Sequence, residues 1–218
     1  LRKNSISKQV EIFQSMRKSI FRLSALRGLG GIAFLNLIFL CQCKNPSTSA
    51  AKNYAYDPAF LGEAFTVEAL KVTLAPPIKW ENIPLNNASQ YNKALSQSSP
   101  YRIQAGALFK SPGSTNCIMI ISAIKEWPDQ GRKQLEKTYK NFFDFGPQWS
   151  SITQSELNIN KVSAIEIMLT GQALVHYKVL FFPDSRPPFQ LDYLIPQSYF
   201  DEDMKAYVES SIASVKLS

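Results

Sequence analysis

Histidine is almost missing from this chain of 218 residues: His176 stands alone. A serine or cysteine nucleophile of the ordinary kind takes its base from a histidine, so any such triad would rest on His176. It lies between Val175 and Tyr177 in an apolar stretch, where the expected role is a hydrogen-bonded sheet side chain and not a general base. Cysteine is scarce too, with three in all. Cys41 and Cys43 flank Gln42 at the end of an apolar run, which leaves Cys117 as the sole thiol downstream. One histidine and one thiol cannot furnish the three or four N/S ligands of a zinc site, and one thiol cannot close an intrachain bridge. Cys117 opens the apolar segment that runs to Ile124, so a buried, inert side chain is expected. Glycine is thin, and the cluster Gly28, Gly30 and Gly31 lacks the strand-to-helix setting of a phosphate loop. Nothing here asks for a metal or cofactor.

What is present begins at the N-terminus. Arg17, Lys18, Arg22 and Arg27 lead into an apolar run from Leu29 to Leu40, followed by Cys41, Gln42, Cys43 and Lys44. A basic region, a short apolar region and a cysteine at its end make an export signal. The run from Gly28 to Gln42 carries Asn36 and three glycines, and it is short of the roughly 20 apolar residues that span a bilayer. An uncleaved anchor and a buried soluble helix remain as the competing readings.

With cysteine at the cleavage point, the segment resembles a bacterial lipoprotein signal peptide. That family's motif is leucine, two mostly small residues, and the cysteine that receives lipid. Cys43 fits, with Leu40 three residues upstream; Cys41 fits worse, because bulky Leu40 would directly precede the cut. Gln42 departs from the usual small residue, and an ordinary secretory signal with coincidental cysteines is the alternative. The resemblance implies lipidation at Cys43 and a membrane-anchored protein of the bacterial cell envelope, on the periplasmic or outer-membrane face. Met16 stands just before Arg17. Residues 1–15 are accordingly expected to be a start-site artefact or an extended basic region, 16–42 the signal peptide and 43–57 the anchor and tether. Residues 58–218 are expected to form a single domain.

Charge follows the same division. The formal balance is +7, but Arg2, Lys3, Lys8, Arg17, Lys18, Arg22 and Arg27 against Glu11 put +6 of it in residues 1–43. The remaining +1 gives the mature chain no electrostatic footprint for nucleic acid.

The domain reads as alternating strands and helices. Phe65 to Leu74 reads as one strand, stopped by Pro76 and Pro77. A polar segment over 87–99 has room for a short helix. Tyr101, Ile103, Ala105, Ala107 and Phe109 share one face of a strand, Ser111 to Ser114 turns the chain, and Cys117 to Ile124 returns as a central strand. Pro128 begins a helix to about Phe143, with Leu135, Tyr139 and Phe142 on one face and Glu136 paired to Lys140. Gly146 and Pro147 end it. Val162 to Leu169, Ala173 to Phe182 and Phe189 to Ile195 form a three-stranded meander, with Gln190 and Asp192 opposite the apolar face. Ser198 caps a final helix whose core stripe is Phe200, Met204, Val208, Ile212 and Val215. Asp201, Glu202 and Asp203 then sit in its first turn, where acids favour the positive end of the helix dipole; they lack the spacing of a calcium loop.

The strand ending in proline and Trp80, the long helix before a meander, and the closing helix through Val208 to Lys216 together resemble the PsbP-like fold. A photosystem II extrinsic subunit, a Ran-binding import factor and several envelope lipoproteins share that fold. It implies an α+β domain, an antiparallel sheet sandwiched between helices, and it carries over no functional residues. The expected function is a non-catalytic interaction domain with a protein partner, in an accessory or assembly-stabilising role. A small-ligand or host-component binding module is the alternative, and a hydrolase the weakest reading. Trp80, Trp127 and Trp149 are the candidate binding patch.

Overall fold

Strands are the commonest regular structure among the described residues, and in most of them every second position is apolar. The computed structural model describes residues 52–85, 99–113, 115–127, 131–144, 149–184 and 186–218. The expected export segment, Cys43, the tether before Lys52, residues 87–98 of the segment expected to hold a short helix, Pro128, Gly146 and Pro147 lie outside these residues. So does the side chain of Lys140.

Among the described residues, ten strands and two α-helices follow in order. Strands β1 (Phe65–Val67), β2 (Val72–Leu74) and β3 (Glu81–Asn82) precede the hairpin β4 (Ile103–Lys110) and β5 (Ile118–Ile124). Helix α1 (Arg132–Asp144) leads to β6 (Trp149–Ile159), β7 (Val162–Gly171), β8 (Leu174–Phe182) and β9 (Phe189–Pro196). Helix α2 (Glu202–Ala213) and the short β10 (Lys216–Leu217) close the chain. Seven strands make one sheet in the order β3-β4-β5-β9-β8-β7-β6, antiparallel throughout. A second sheet of three joins β1, β2 and β10.

Because successive side chains of a strand point to opposite faces, the large sheet has two apolar cores. Val175, Tyr177, Val179 and Phe181 of β8 belong to one core, together with Val208 and Ile212 of α2. Leu180 of β8 and Ile165, Ile167 and Leu169 of β7 belong to the other, with Leu135 and Tyr139 of α1. A helix on each face of an antiparallel sheet is the expected α+β arrangement. Phe200 and Met204 pack partly buried at the edge of the α2 core, so the expected stripe is present. On α1, Leu135 and Tyr139 are fully buried while Phe142 is 38% exposed. Glu136 is engaged from the preceding turn by Arg132 at 2.5 Å.

Four expectations change. Phe65–Leu74 is not one strand but a hairpin: Leu70 and Lys71 N–H bond back to Val67 and Glu68, and Lys71 takes φ 51°. The apolar residues of β4 do not share one face. Its register shifts between Ala105 and Ala107, so Ile103, Ala105 and Leu108 face α1, while Ala107 and Phe109 face the α2 side. The shift sits at Gly106, where a Cβ would come within 2.8 Å of Val67 Cγ1; the absent side chain lets the β1–β2 hairpin pack down. The meander has four strands, because β6 pairs with β7 through a two-residue turn at Asn160 and Lys161, both with positive φ. Finally, Asp201 and not Ser198 is the cap of α2, its carboxylate accepting from Met204 N–H at 2.8 Å. Ser198 lies in the 3₁₀ turn Gln197–Tyr199.

Asn160 ties the sheet to α2. Its side-chain amide donates to the carbonyls of Ala213 (3.1 Å) and Val215 (2.7 Å), satisfying acceptors at a helix end that lack partners within the helix.

Candidate functional site

Polar side chains collect where apolar packing leads one to expect none, between the sheet and α1. His176 and Lys178 project from β8 to that face, and Gln190 and Asp192 from the neighbouring β9. Cross-strand pairing sets Lys178 directly opposite Asp192. All four are buried, Lys178 and Gln190 completely. One oxygen of Asp192 accepts from His176 Nε2 at 2.7 Å and from Lys178 Nζ. Its other oxygen accepts from Gln190 Nε2 at 2.6 Å. Tyr139 of α1 donates its hydroxyl proton to Gln190 Oε1 at 2.6 Å, shares a 2.8 Å bond with Ser99, and presents its ring to Lys178 Nζ at 5.6 Å. The chain of contacts pins α1 to the sheet.

Burial alone would raise the Asp192 carboxyl, but the Lys178 ammonium and His176 outweigh it and hold the group well below the usual carboxylate range. Burial drives His176 downward, Lys178 adding to this against the pull of Asp192. The imidazole is therefore neutral near pH 7, with its proton on Nε2, since an ionised carboxylate can only accept. Burial also raises the Tyr139 phenol, which stays protonated as the donor.

This cluster pairs an acid with a histidine, as triads do, but it is closed to substrate: His176 is 3% exposed. The Ser122 hydroxyl is buried and unpartnered on the same face. It pairs across to Gln190, whereas His176 pairs to Leu194, a separation of about 13 Å along β9 at ~3.3 Å per residue. A nucleophile–base bond between them is ruled out by distance.

A second cluster lies on the α2 side. Glu166 of β7 is 3% exposed, and its Oε2 has no hydrogen-bond partner. Burial, reinforced by Glu209, pushes it up to about 7, while Lys52, Lys205 and Tyr177 act in the opposite direction. Lys52 reaches Glu209 at 3.4 Å and the Tyr54 hydroxyl at 3.1 Å. Among the described residues, no group of three His, Cys, Asp or Glu is placed to hold a metal ion.

The three tryptophans do not converge. Trp80 belongs to the α2-side core, edge-on to Tyr193, and Trp149 to the α1-side core, 6.4 Å from the His176 ring. Trp127 is 38% exposed and lines an open groove of about 230 Å³ with Arg132 and Arg186. Both arginines are already engaged, Arg132 by Glu136 and Ser163, Arg186 by the Lys71 and Ser218 carbonyls. A second open groove, about 270 Å³, lies by Lys133, Glu136, Lys137 and Gln154. Cys117 is fully buried, and burial raises its thiol. Among the described residues no helix is long and apolar enough to cross a membrane.

Sequence reasoning finds His176 but passes over Lys178, Asp192 and Glu166. The available signal was positional: Lys178 and Asp192 interrupt two strands otherwise dense in large apolar residues.

No family model matches the chain, and no curated protein matches it. Among solved structures the chain is similar to the solution structure of cyanobacterial PsbP (CyanoP) from Synechocystis sp. PCC 6803, at 12% identity and a TM-score of 0.45 over 72% of this chain and 92% of that one.

Proposed function

We propose that the chain is a lipoprotein of the bacterial cell envelope, anchored through Cys43, whose domain binds a protein partner in an accessory role and performs no catalysis. The observation that carries the non-catalytic reading is the state of His176. The chain's single histidine is sealed under α1 and committed to Asp192, so an ordinary triad has no base to recruit. The ligand-binding alternative calls for an enclosed pocket of ~300 Å³ or more, and the two grooves described are smaller and open. The basic and apolar stretches before Cys43 supply the address, and the nearly neutral remainder leaves membrane and protein, not nucleic acid, as partners.

The test is crosslinking of the acylated protein in its own membrane, with quantitative recovery from wild type and from His176→Asn. The proposal expects one partner enriched reproducibly with both chains. Recovery of small-molecule turnover by wild type that His176→Asn abolishes, with the fold intact by circular dichroism, would overturn it.

A further inference from the structure

The seven-stranded sheet ends unequally. At one side its outer strand β3 is two residues long; at the other, β6 runs for eleven, from Trp149 to Ile159. Outer strands are usually guarded by shortness, lysine, proline or cover. Strand β6 has no Lys, Arg or Pro, and from Ser150 to Gln154 both of its faces are exposed.

Pairing with β7 decides which backbone groups are left over. The two-residue turn at Asn160 and Lys161 makes Ile159 and Val162 the first hydrogen-bonded pair, and bonded pairs recur at every second residue. Ile159, Leu157, Ser155 and Thr153 thus turn N–H and C=O toward β7, while Glu156, Gln154 and Ile152 turn theirs outward. The Glu156 carbonyl fits this phase, for it accepts the Lys52 N–H at 2.8 Å. Among the described residues nothing bonds to the outward groups of Gln154 and Ile152. They present donors and acceptors at the spacing of a sheet ladder.

The side chains of these two residues lie on the α1 face. Gln154 pairs across to Ile167 and Ile152 to Leu169, both members of the α1-side core. Ile152 is 38% exposed, an apolar side chain at the rim of the sheet. Beside Gln154 is the open groove of about 270 Å³ whose other lining residues, Lys133, Glu136 and Lys137, belong to α1. Arg132 holds Glu136 at 2.5 Å and comes within 3.9 Å of Glu156. Lys133 and Lys137 are exposed and have no ion pair among the described residues. An added strand would direct the side chain opposite Gln154 toward these lysines, and the one two residues away onto Ile152. A second copy of this chain suits the edge poorly. Antiparallel pairing of β6 with itself relates the copies by an axis normal to the sheet, which keeps both α1 helices on one face and sets lysines toward lysines.

We propose that the Ile152–Gln154 edge of β6 receives an extended segment of the partner protein as an added strand, with an acidic side chain opposite Gln154 and an apolar one opposite Ile152. Backbone bonds to the edge supply the affinity, and Lys133, Lys137 and Ile152 the selectivity. The inference rests on the protein-partner reading above and gives that partner a surface and a chemistry.

The test places a photo-crosslinking residue at Gln154 or, separately, at exposed Tyr199, in the full chain in its own cells, and maps the linked peptides by mass spectrometry. The expected link from Gln154 is to another protein, in a segment where Asp or Glu stands two residues from an apolar side chain. Two variants are then read with the Gln154 probe, their fold checked by circular dichroism. Ile152→Pro removes an outward N–H and spares the bonds to β7; Lys133→Glu with Lys137→Glu reverses the charge beside the edge. Each is expected to cut recovery of that segment several-fold. A link from Gln154 to a second copy, or to a segment without acid, would overturn the proposal, as would undiminished recovery by the charge-reversed chain. Capture of a partner from Tyr199 alone would overturn it and leave the partner reading standing, whereas capture from neither position would remove both.

Discussion

Lys178, Asp192 and His176 form a charge cluster that water does not reach, so the protein alone sets its balance. Breaking a buried pair leaves an uncompensated charge, which costs more than the pair contributes when intact. Lys178→Met is therefore expected to lose about 3–5 kcal/mol in urea denaturation. The double variant Lys178→Met with Asp192→Leu should lose clearly less than the sum of the two singles. Acid should destabilise through the same cluster. His176 and Asp192 are both depressed in the folded state, so the unfolded chain binds protons first. Stability from His176 is lost as pH falls below its ordinary 6.5, and that from Asp192 as pH falls below its ordinary 3.8. Glu166 has the opposite sign. Its folded value of about 7 lies above the ordinary 4.5, so the folded state keeps a proton that the unfolded chain has given up. Its contribution is present below about 4.5 and is lost as pH rises to about 7. Glu166→Gln should remove that dependence, gaining on the order of 3 kcal/mol over wild type at pH 8 and nearly nothing at pH 4. A thermal-melt series across this range reads both effects.

Strand β4 shows how one glycine sets a packing arrangement. Gly106→Ala would drive a Cβ to 2.8 Å from Val67 Cγ1 and is expected to cost about 1–3 kcal/mol by overpacking. Val67→Ala added to it should recover part of that loss. The cap of α2 is the other local dependence: Asp201→Ala removes the acceptor for Met204 N–H and should cost about 0.5–2 kcal/mol in the same assay. Strands β7, β8 and β9 are legible in the sequence because their apolar residues alternate against a buried face. Strand β6 is not legible, because from Ser150 to Gln154 it is exposed on both faces and has no apolar side to alternate. The usable clue was Asn160, a residue that tolerates the left-handed turn conformation. The β4 bulge hides for a related reason: Ala105, Gly106 and Ala107 are too small to signal a change of face. Gln190 and Asp192 read as a solvent side from their strand alone. Only α1, far away in sequence, turns that side into a second core, and with it turns a polar face into a buried network.

The sheet with a helix on either face accounts for most of the described residues from Phe65 onward, and the buried cluster of His176, Lys178, Gln190 and Asp192 holds α1 to it through Tyr139. The strongest functional signal thus lies before the domain, in the basic run, the apolar run and Cys43. The central claim is that this leader is removed and Cys43 is acylated. The intact mass of the native chain, extracted from its own membrane, tests it directly. The account predicts a polypeptide beginning at Cys43 and heavier than its sequence by fatty acyl groups. A chain that retains residues 17–42 and carries no acyl mass would contradict it.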